Sequence, residues 1–139
     1  MRDPCDSCAL REGAAANKEP YNALRALICV LSGRPFWCHH GIAWQERDDK
    51  LTHQECRTVG TCAGWRREVA KRKARGWFRD VTRARVRGWM GEYLLIVIDK
   101  YVAEKDRREK KRLLAVIRDG IQRLGAKEPC EGPGQLQAR

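Results

Sequence analysis

The stretch that decides the fold is residues 92–124, which read EYLLIVIDKYVAEKDRREKKRLLAVIRDGIQRL. Leucine, isoleucine and valine recur in it at the three- and four-residue intervals of one helix face. A charged segment, residues 106–112, separates an apolar patch around Leu94 from a second patch around Ile117. The pattern predicts one long helix over 92–124 that ends at Gly125, with its charged middle in solvent or against a partner.

A shorter helix is predicted to start at Asn17, with Pro20 in its first turn, and to end at Ser32 and Gly33. Asn17 and Pro20 are typical of a helix start, and Ser32 and Gly33 are typical of a helix end. The apolar residues that share one face of this helix are Tyr21, Leu24, Leu27, Ile28 and Leu31. We expect the helix to pack by that face onto the rest of the protein.

The chain after Gly64 is predicted to be helical as well, because apolar residues recur every three or four positions as far as residue 84. Gly76 weakens this pattern and divides it in two. Gly88 and Gly91 predict a turn or kink before the long helix. The fold class that follows is mainly α.

Seven cysteines in 139 residues indicate either disulfides or metal ligands, and the compartment decides between them. The N-terminus lacks the apolar core of a signal peptide, and no run approaches the roughly 18 apolar residues of a membrane span. We therefore expect a cytoplasmic protein without membrane contact, whose thiols stay reduced and bind a metal.

The four predicted ligands are Cys5, Cys8, Cys38 and Cys62. Two residues separate Cys5 from Cys8, a spacing that lets both sulfurs turn toward one ion. Four thiolates suit Zn²⁺, and a 4Fe–4S cluster is the alternative. Three substitutions within this set stay open: Cys56 for Cys62, and His39 or His40 for Cys38.

Three short motifs contain these cysteines: Pro4-Cys5-Asp6-Ser7-Cys8, Phe36-Trp37-Cys38-His39 and Cys62-Ala63-Gly64-Trp65. In them the chain resembles an uncharacterised phage-associated family of small Cys-rich proteins. The resemblance covers the first 65 residues and implies a metal or iron–sulfur module of phage or mobile-element origin, in a bacterial host cytoplasm. It implies no activity.

Charge divides the chain into two parts. Residues 1–65 carry eight Lys/Arg and eight Asp/Glu, so the whole net charge of +11 lies in the remainder. The predicted organisation is a metal-clamped module over 1–65, a basic helical region over 66–125 and a disordered tail over 126–139. Such a local excess of positive charge attracts phosphate or an acidic protein surface.

A row of basic residues recurs at every fourth position in the second part: Arg67, Lys71, Arg75, Arg79, Arg83 and Arg87. On one continuous helix this row would form a ribbon able to follow a line of phosphates. Trp77, Phe78 and Trp89 are near enough to offer stacking surfaces, although the apolar pattern favours a core position for Trp77 and Phe78.

These features favour a binding protein without catalytic activity. Its expected partner is nucleic acid or an RNA- or DNA-containing protein complex, and the phage resemblance suggests inhibition of host machinery or of anti-phage defence, as an anti-CRISPR protein does. An iron–sulfur redox or sensing regulator is the first alternative. A metal-dependent nuclease is the second, weakened by the presence of only three histidines and of no nucleophile motif.

Overall fold

The computed structural model describes residues 8–37 and 60–125, and these residues are mainly helical. The helices are α1 (Ala15–Lys18), α2 (Pro20–Ser32), α3 (Ala63–Ala74), α4 (Val81–Ala103) and α5 (Arg107–Gly125). The predicted fold class is confirmed. None of the helices in this part of the chain is both long and apolar enough to cross a membrane.

Three helices, α2, α4 and α5, share one hydrophobic core. Its buried members are Ile28, Leu31, Leu94, Val97, Ile98, Leu113, Ile117 and Leu124. The predicted apolar face of α2 supplies Ile28 and Leu31 to this core, and Leu24 and Leu27 pack against it. The core therefore joins residues on both sides of the predicted boundary at residue 65.

Helix α2 ends where the sequence predicts, at Gly33, whose φ of 74° is left-handed. Its predicted start is wrong, because Asn17 lies in the separate helix α1 and α2 begins at Pro20. The last carbonyls of a helix lack partners inside it. Two tryptophans supply partners here: Trp65 Nε1 donates to the Cys29 carbonyl at 3.1 Å, and Trp77 Nε1 donates to the Leu31 carbonyl at 3.0 Å. These bonds attach α3 and the loop after it to the C-terminal end of α2.

The predicted turn at Gly88 and Gly91 is wrong, because α4 continues through both glycines. At Gly91 the reason is a close approach of two helices: a Cβ there would lie 2.4 Å from the Ser32 side chain of α2. Gly120 of α5 has the same role against Leu94, also at 2.4 Å. These glycines allow helices to pack closely; they do not bend the chain.

The prediction of one helix over 92–124 is also wrong, because the chain turns between α4 and α5. The Glu104 carboxylate accepts from the backbone N–H groups of Lys105 and Asp106, both at 3.0 Å. Asp106 then accepts from the Arg108 N–H at 3.3 Å, as an N-cap residue does. The two helices fold back on each other, which places Gly120 beside Leu94.

The division predicted at Gly76 is confirmed. Gly76 has a φ of 81°, and two backbone bonds form a Schellman motif at the end of α3: Gly76 N–H to Lys73 O at 2.9 Å, and Trp77 N–H to Arg72 O at 2.9 Å. Asp80 then caps the N-terminus of α4 by accepting from Arg83 N–H at 3.0 Å. The tail predicted over 126–139 lies outside the described residues.

Candidate functional site

Two of the four predicted metal ligands lie side by side. Cys8 Sγ and Cys62 Sγ are 3.4 Å apart and buried, although the two cysteines are 54 positions apart in sequence. A disulfide would bring the sulfurs to about 2.05 Å, and neither cysteine forms one. Two thiolates on one tetrahedral Zn²⁺, each about 2.3 Å from the ion, would be about 3.8 Å apart. The observed spacing is within a few tenths of an ångström of that arrangement.

An isolated antiparallel bridge joins the segment of Cys62 to the residues that follow α2. Trp37 pairs with Thr61, and the Cys62 N–H donates to the Phe36 carbonyl at 2.7 Å. On the other side, the Arg11 N–H donates to the Cys8 carbonyl at 3.0 Å and closes a turn that starts at Cys8. The bridge therefore lies next to the sequence position of Cys38, which directly follows Trp37.

One backbone donor points at the sulfur pair. The Leu10 N–H lies 3.4 Å from Cys8 Sγ, and backbone N–H groups bond in this way to the sulfurs of metal sites. Cys62 is the N-cap residue of α3, which places it at the first turn of that helix.

The residues after Cys62 each have a structural part in this arrangement. Gly64 leaves room for the sulfur, because a Cβ at that position would lie 2.6 Å from Cys8 Sγ. Trp65 follows it and bonds to the end of α2. The Cys-Ala-Gly-Trp motif therefore places a sulfur, a gap for the second sulfur and a helix anchor in four consecutive residues.

The other predicted ligands, Cys5 and Cys38, lie outside the described residues, as do their possible replacements Cys56, His39 and His40. Within 8–37 and 60–125, no third cysteine, histidine or carboxylate completes a cluster with the sulfur pair. Cys29 is also buried, but it is a separate thiol in α2. Burial raises its pKa to about 11, against the partial opposition of Arg25 and Arg34.

The second candidate site is the basic segment, which we define as the exposed Lys and Arg side chains of residues 66–85. Its members are Arg66, Arg67, Lys71, Lys73, Arg75, Arg79, Arg83 and Arg85. They occupy α3, the loop after it and the first turns of α4. Five of the six residues predicted at every fourth position are among them.

The continuous ribbon predicted for these residues is wrong, because α3 ends at Ala74 and α4 begins at Val81. The left-handed Gly76 turns the chain between them. The four-residue spacing used for the prediction does not select three exposed members of the basic segment, Arg66, Lys73 and Arg85. Their position within the same highly basic stretch of sequence is the signal that identifies them.

Arg87, the sixth residue of that row, belongs to the interior. Only 9% of its surface is exposed. Its guanidinium lies over the Trp77 ring, and its Nη1 donates to the Trp77 carbonyl at 3.0 Å. Arg87 is therefore not available to a partner in the way that the sequence predicts.

The aromatic residues of this region fall into two classes. Trp77 is buried, with 2% exposure, and Phe78 packs against it edge to face and also contacts the Gly33 position. Trp89 is 66% exposed on α4. The predicted core role is confirmed for Trp77, whereas Trp89 remains a surface residue.

No protein family, curated protein or solved structure shows a significant match to this chain.

Proposed function

We propose that this chain is a non-enzymatic nucleic-acid-binding protein. The basic segment contacts phosphates, and a zinc ion bound by Cys5, Cys8, Cys38 and Cys62 fixes the N-terminal residues beside it. The observation that carries the proposal is the exposure of the cations of residues 66–85, combined with the engagement of the carboxylates that lie among them.

The two carboxylates among residues 66–85 offset only part of the charge of the nine Lys and Arg residues there. Glu68 binds two cations at once, Lys71 Nζ at 3.2 Å and Arg72 Nη1 at 3.3 Å. Asp80 is engaged in capping α4. Eight exposed cations within 20 residues repel one another, and an anionic partner would relieve that repulsion.

The ligand class that fits is the sugar–phosphate backbone. Cations on flexible side chains around a helix, a loop and a second helix can contact phosphates without reading bases. Binding of this kind releases counterions, and contact with about five phosphates of duplex DNA would give a slope near −4.5 in log K against log salt.

The test is the affinity of the full chain for a labelled duplex of mixed sequence, measured by fluorescence anisotropy over a salt series. The variant Lys73→Gln/Arg79→Gln/Arg83→Gln removes three charges from the basic segment, and we expect about 10- to 100-fold weaker binding. The control Arg107→Gln/Arg108→Gln/Lys111→Gln removes three exposed charges from α5 and should bind nearly as tightly as the wild type. Equal losses in both variants would mean that net charge alone attracts DNA, and would contradict the proposal.

In a narrower form of this proposal, the partner is a nucleoprotein complex of a bacterial host. The phage resemblance supports this form, because it suggests an inhibitor of anti-phage defence. A protein partner adds apolar contacts, so its capture would persist at salt concentrations that release free nucleic acid. Pull-down from bacterial lysate with and without nuclease distinguishes the two. A ligand lost with nuclease is nucleic acid, and a complex retained after nuclease is a protein partner.

The metal part of the proposal is supported by the spacing of Cys8 Sγ and Cys62 Sγ. Two ligands of one ion lie this close, whereas the four thiolates of a 4Fe–4S cluster bind different iron atoms and lie further apart. The geometry therefore favours zinc over a cluster. With four protein ligands the ion would have no open position for a substrate, which suits a structural role.

Elemental analysis of protein purified without oxygen tests the metal directly. We expect about one zinc per chain, and a loss of zinc in Cys8→Ser and Cys62→Ser. Cys29→Ser is the matched control, because Cys29 is an equally buried cysteine that lies apart from the pair. Protein without zinc or iron would contradict the metal site. Brown protein with broad visible absorbance would show that the site holds an iron–sulfur cluster and not zinc.

A further inference from the structure

Helix α4 carries a second apolar surface outside the core, along the side of the helix that borders α5. Its residues, which we call the α4 stripe, are Val86, Trp89, Tyr93 and Ile96, exposed by 48%, 66%, 57% and 51%. They follow one another at intervals of three, four and three residues, the a and d spacing of a helix that pairs with another helix. At about 100° per residue, the stripe lies roughly 110° around the axis from the core residues Leu94, Val97 and Ile98.

We propose that the α4 stripe is a homodimer interface, in which α4 pairs with α4 of a second copy in antiparallel orientation about a twofold axis. In such a pair an a position of one helix faces a d position of the other. Val86 then faces Ile96 of the second copy, and Trp89 faces its Tyr93. Aliphatic side chains therefore meet at both ends of the interface, and aromatic side chains meet in its middle.

The charges beside the stripe select this orientation. Arg85, Glu92 and Asp99 lie along one flank of it at seven-residue intervals. Antiparallel pairing about Glu92 places Arg85 beside Asp99 of the second copy on both sides of the axis, in addition to the bond that Asp99 makes with Arg25 of its own chain. Parallel pairing would instead place this flank beside Met90 and the buried Val97 of the second copy, so that no opposite charges would meet. Glu92 would face its own counterpart, and Arg34 of the same chain, 3.6 Å away, offsets that charge.

The same flank argues against nucleic acid as the occupant. The Glu92 and Asp99 side chains are 55% and 49% exposed, and each carboxylate is paired with an arginine of its own chain, Glu92 with Arg34 and Asp99 with Arg25. This flank therefore offers a phosphate backbone little net positive charge. A protein surface of mixed charge and an apolar centre suits these residues better. Tyr93 and Ile96 also form one wall of a cleft of about 390 Å³ between α4 and α5, next to the place of the second copy's Trp89.

The test is sedimentation equilibrium of the nuclease-treated full chain, whose monomer mass is 16.0 kDa. We expect a dimer of about 32 kDa that persists in about 0.5 M NaCl, because its centre is apolar. Trp89→Ser should raise the dimer dissociation constant at least about 30-fold, as loss of a central aromatic contact does. Circular dichroism of each variant checks that the monomer keeps its helices.

Two valines give a matched comparison on the same helix. Val86 and Val102 are both 48% exposed, but only Val86 belongs to the α4 stripe. Val86→Ser should weaken the dimer, and Val102→Ser should leave it unchanged. A wild type that stays at 16.0 kDa up to about 100 µM, or a dimer indifferent to Trp89→Ser and Val86→Ser, would overturn the proposal.

Charge exchange tests the orientation at about 0.1 M salt, where such pairs still contribute. Arg85→Glu should weaken the dimer. Because Asp99 also binds Arg25 of its own chain, the restoring variant combines Arg85→Glu with Asp99→Lys and Arg25→Glu, which re-forms both pairs with their signs reversed. A combined variant no tighter than Arg85→Glu alone would overturn the antiparallel arrangement. Since the samples contain no nucleic acid, either result is independent of the function proposed above.

Discussion

The guanidinium carbon of Arg87 lies 3.7 Å from the centroid of the Trp77 ring. The same guanidinium donates to the Trp77 carbonyl, and the Trp77 indole N–H donates in turn to the Leu31 carbonyl. One row of contacts thus attaches α4 to the loop after α3 and that loop to the end of α2. The positive charge of Arg87 is part of the interior of the fold.

We expect Arg87→Ala to lower the free energy of unfolding by about 2–3 kcal/mol, since it removes a desolvated cation–π contact and leaves the Trp77 carbonyl without this donor. Arg83→Ala, one turn earlier on α4 and exposed, should change it by less than about 0.5 kcal/mol. Urea unfolding followed by circular dichroism measures both. Equal stability of the two variants would show that the contact with Trp77 contributes nothing.

Two glycines of α4 give opposite predictions. Gly91→Ala would push a Cβ to 2.4 Å from Ser32, so we expect a loss of about 1–3 kcal/mol from overpacking of α2 against α4. Gly88 has no atom within 4 Å of its would-be Cβ. Gly88→Ala should therefore stabilise the helix by about 1 kcal/mol. Thermal unfolding of both variants measures the sign of the change in stability. Two stability changes of the same sign would contradict the close approach of α2 and α4 at Gly91.

The same glycines show why the sequence misled about α4. A glycine inside a helical pattern can mark a turn or a close packing contact, and only the neighbouring helix decides between them. Apolar residues also lie on two faces of α4, so periodicity alone does not tell which face is buried. Helix α2 has one apolar face and a terminal Gly33, so its C-terminal end and its packing could be predicted.

The break between α4 and α5 has a local signal in the sequence. Asp106 is followed three residues later by Glu109, a pattern that starts helices. A run of charged residues also fits a solvated helix surface, so this pattern alone does not decide between the two. The candidate metal site is different in kind: the spacing of cysteines selects Cys8 and Cys62, but their approach is a contact between residues far apart in sequence, which no local pattern predicts.

Cys29 is expected to be unreactive in the folded protein. Burial favours its neutral thiol and raises its pKa from an ordinary 9.0 to about 11, although Arg25 and Arg34 partly oppose the shift. Because the pKa is higher in the folded chain, the associated stability is fully present below pH 9.0 and is lost as the pH rises toward 11.

Iodoacetamide labelling at about pH 8, read by mass spectrometry, should leave Cys29 unmodified in the native protein and modify it in urea. Cys29→Ala should also flatten the loss of stability between pH 9.0 and about 11. Rapid native labelling of Cys29, at the rate found in urea, would contradict the environment described for it.

Asp80 should make the stability of α4 depend on acidity. The Arg83 backbone N–H that its carboxylate accepts is the main cause that holds the pKa of Asp80 below its ordinary 3.8, and the charges of Arg83 and Arg87 add to it. A carboxyl whose pKa is lower in the folded chain stabilises it above the unfolded value, and that contribution disappears as the pH falls below 3.8 through the folded value.

Two variants separate the cap from the charge. Asp80→Ala removes the acceptor and should lower the melting temperature at neutral pH, whereas Asp80→Asn keeps an N-cap oxygen and should lower it less. Because asparagine does not titrate, the difference between wild type and Asp80→Asn should shrink as the pH falls from about 5 to about 2. Melting temperatures across this range test the expectation, and parallel curves for the two proteins would show that the Asp80 charge has no part in holding the first turn of α4.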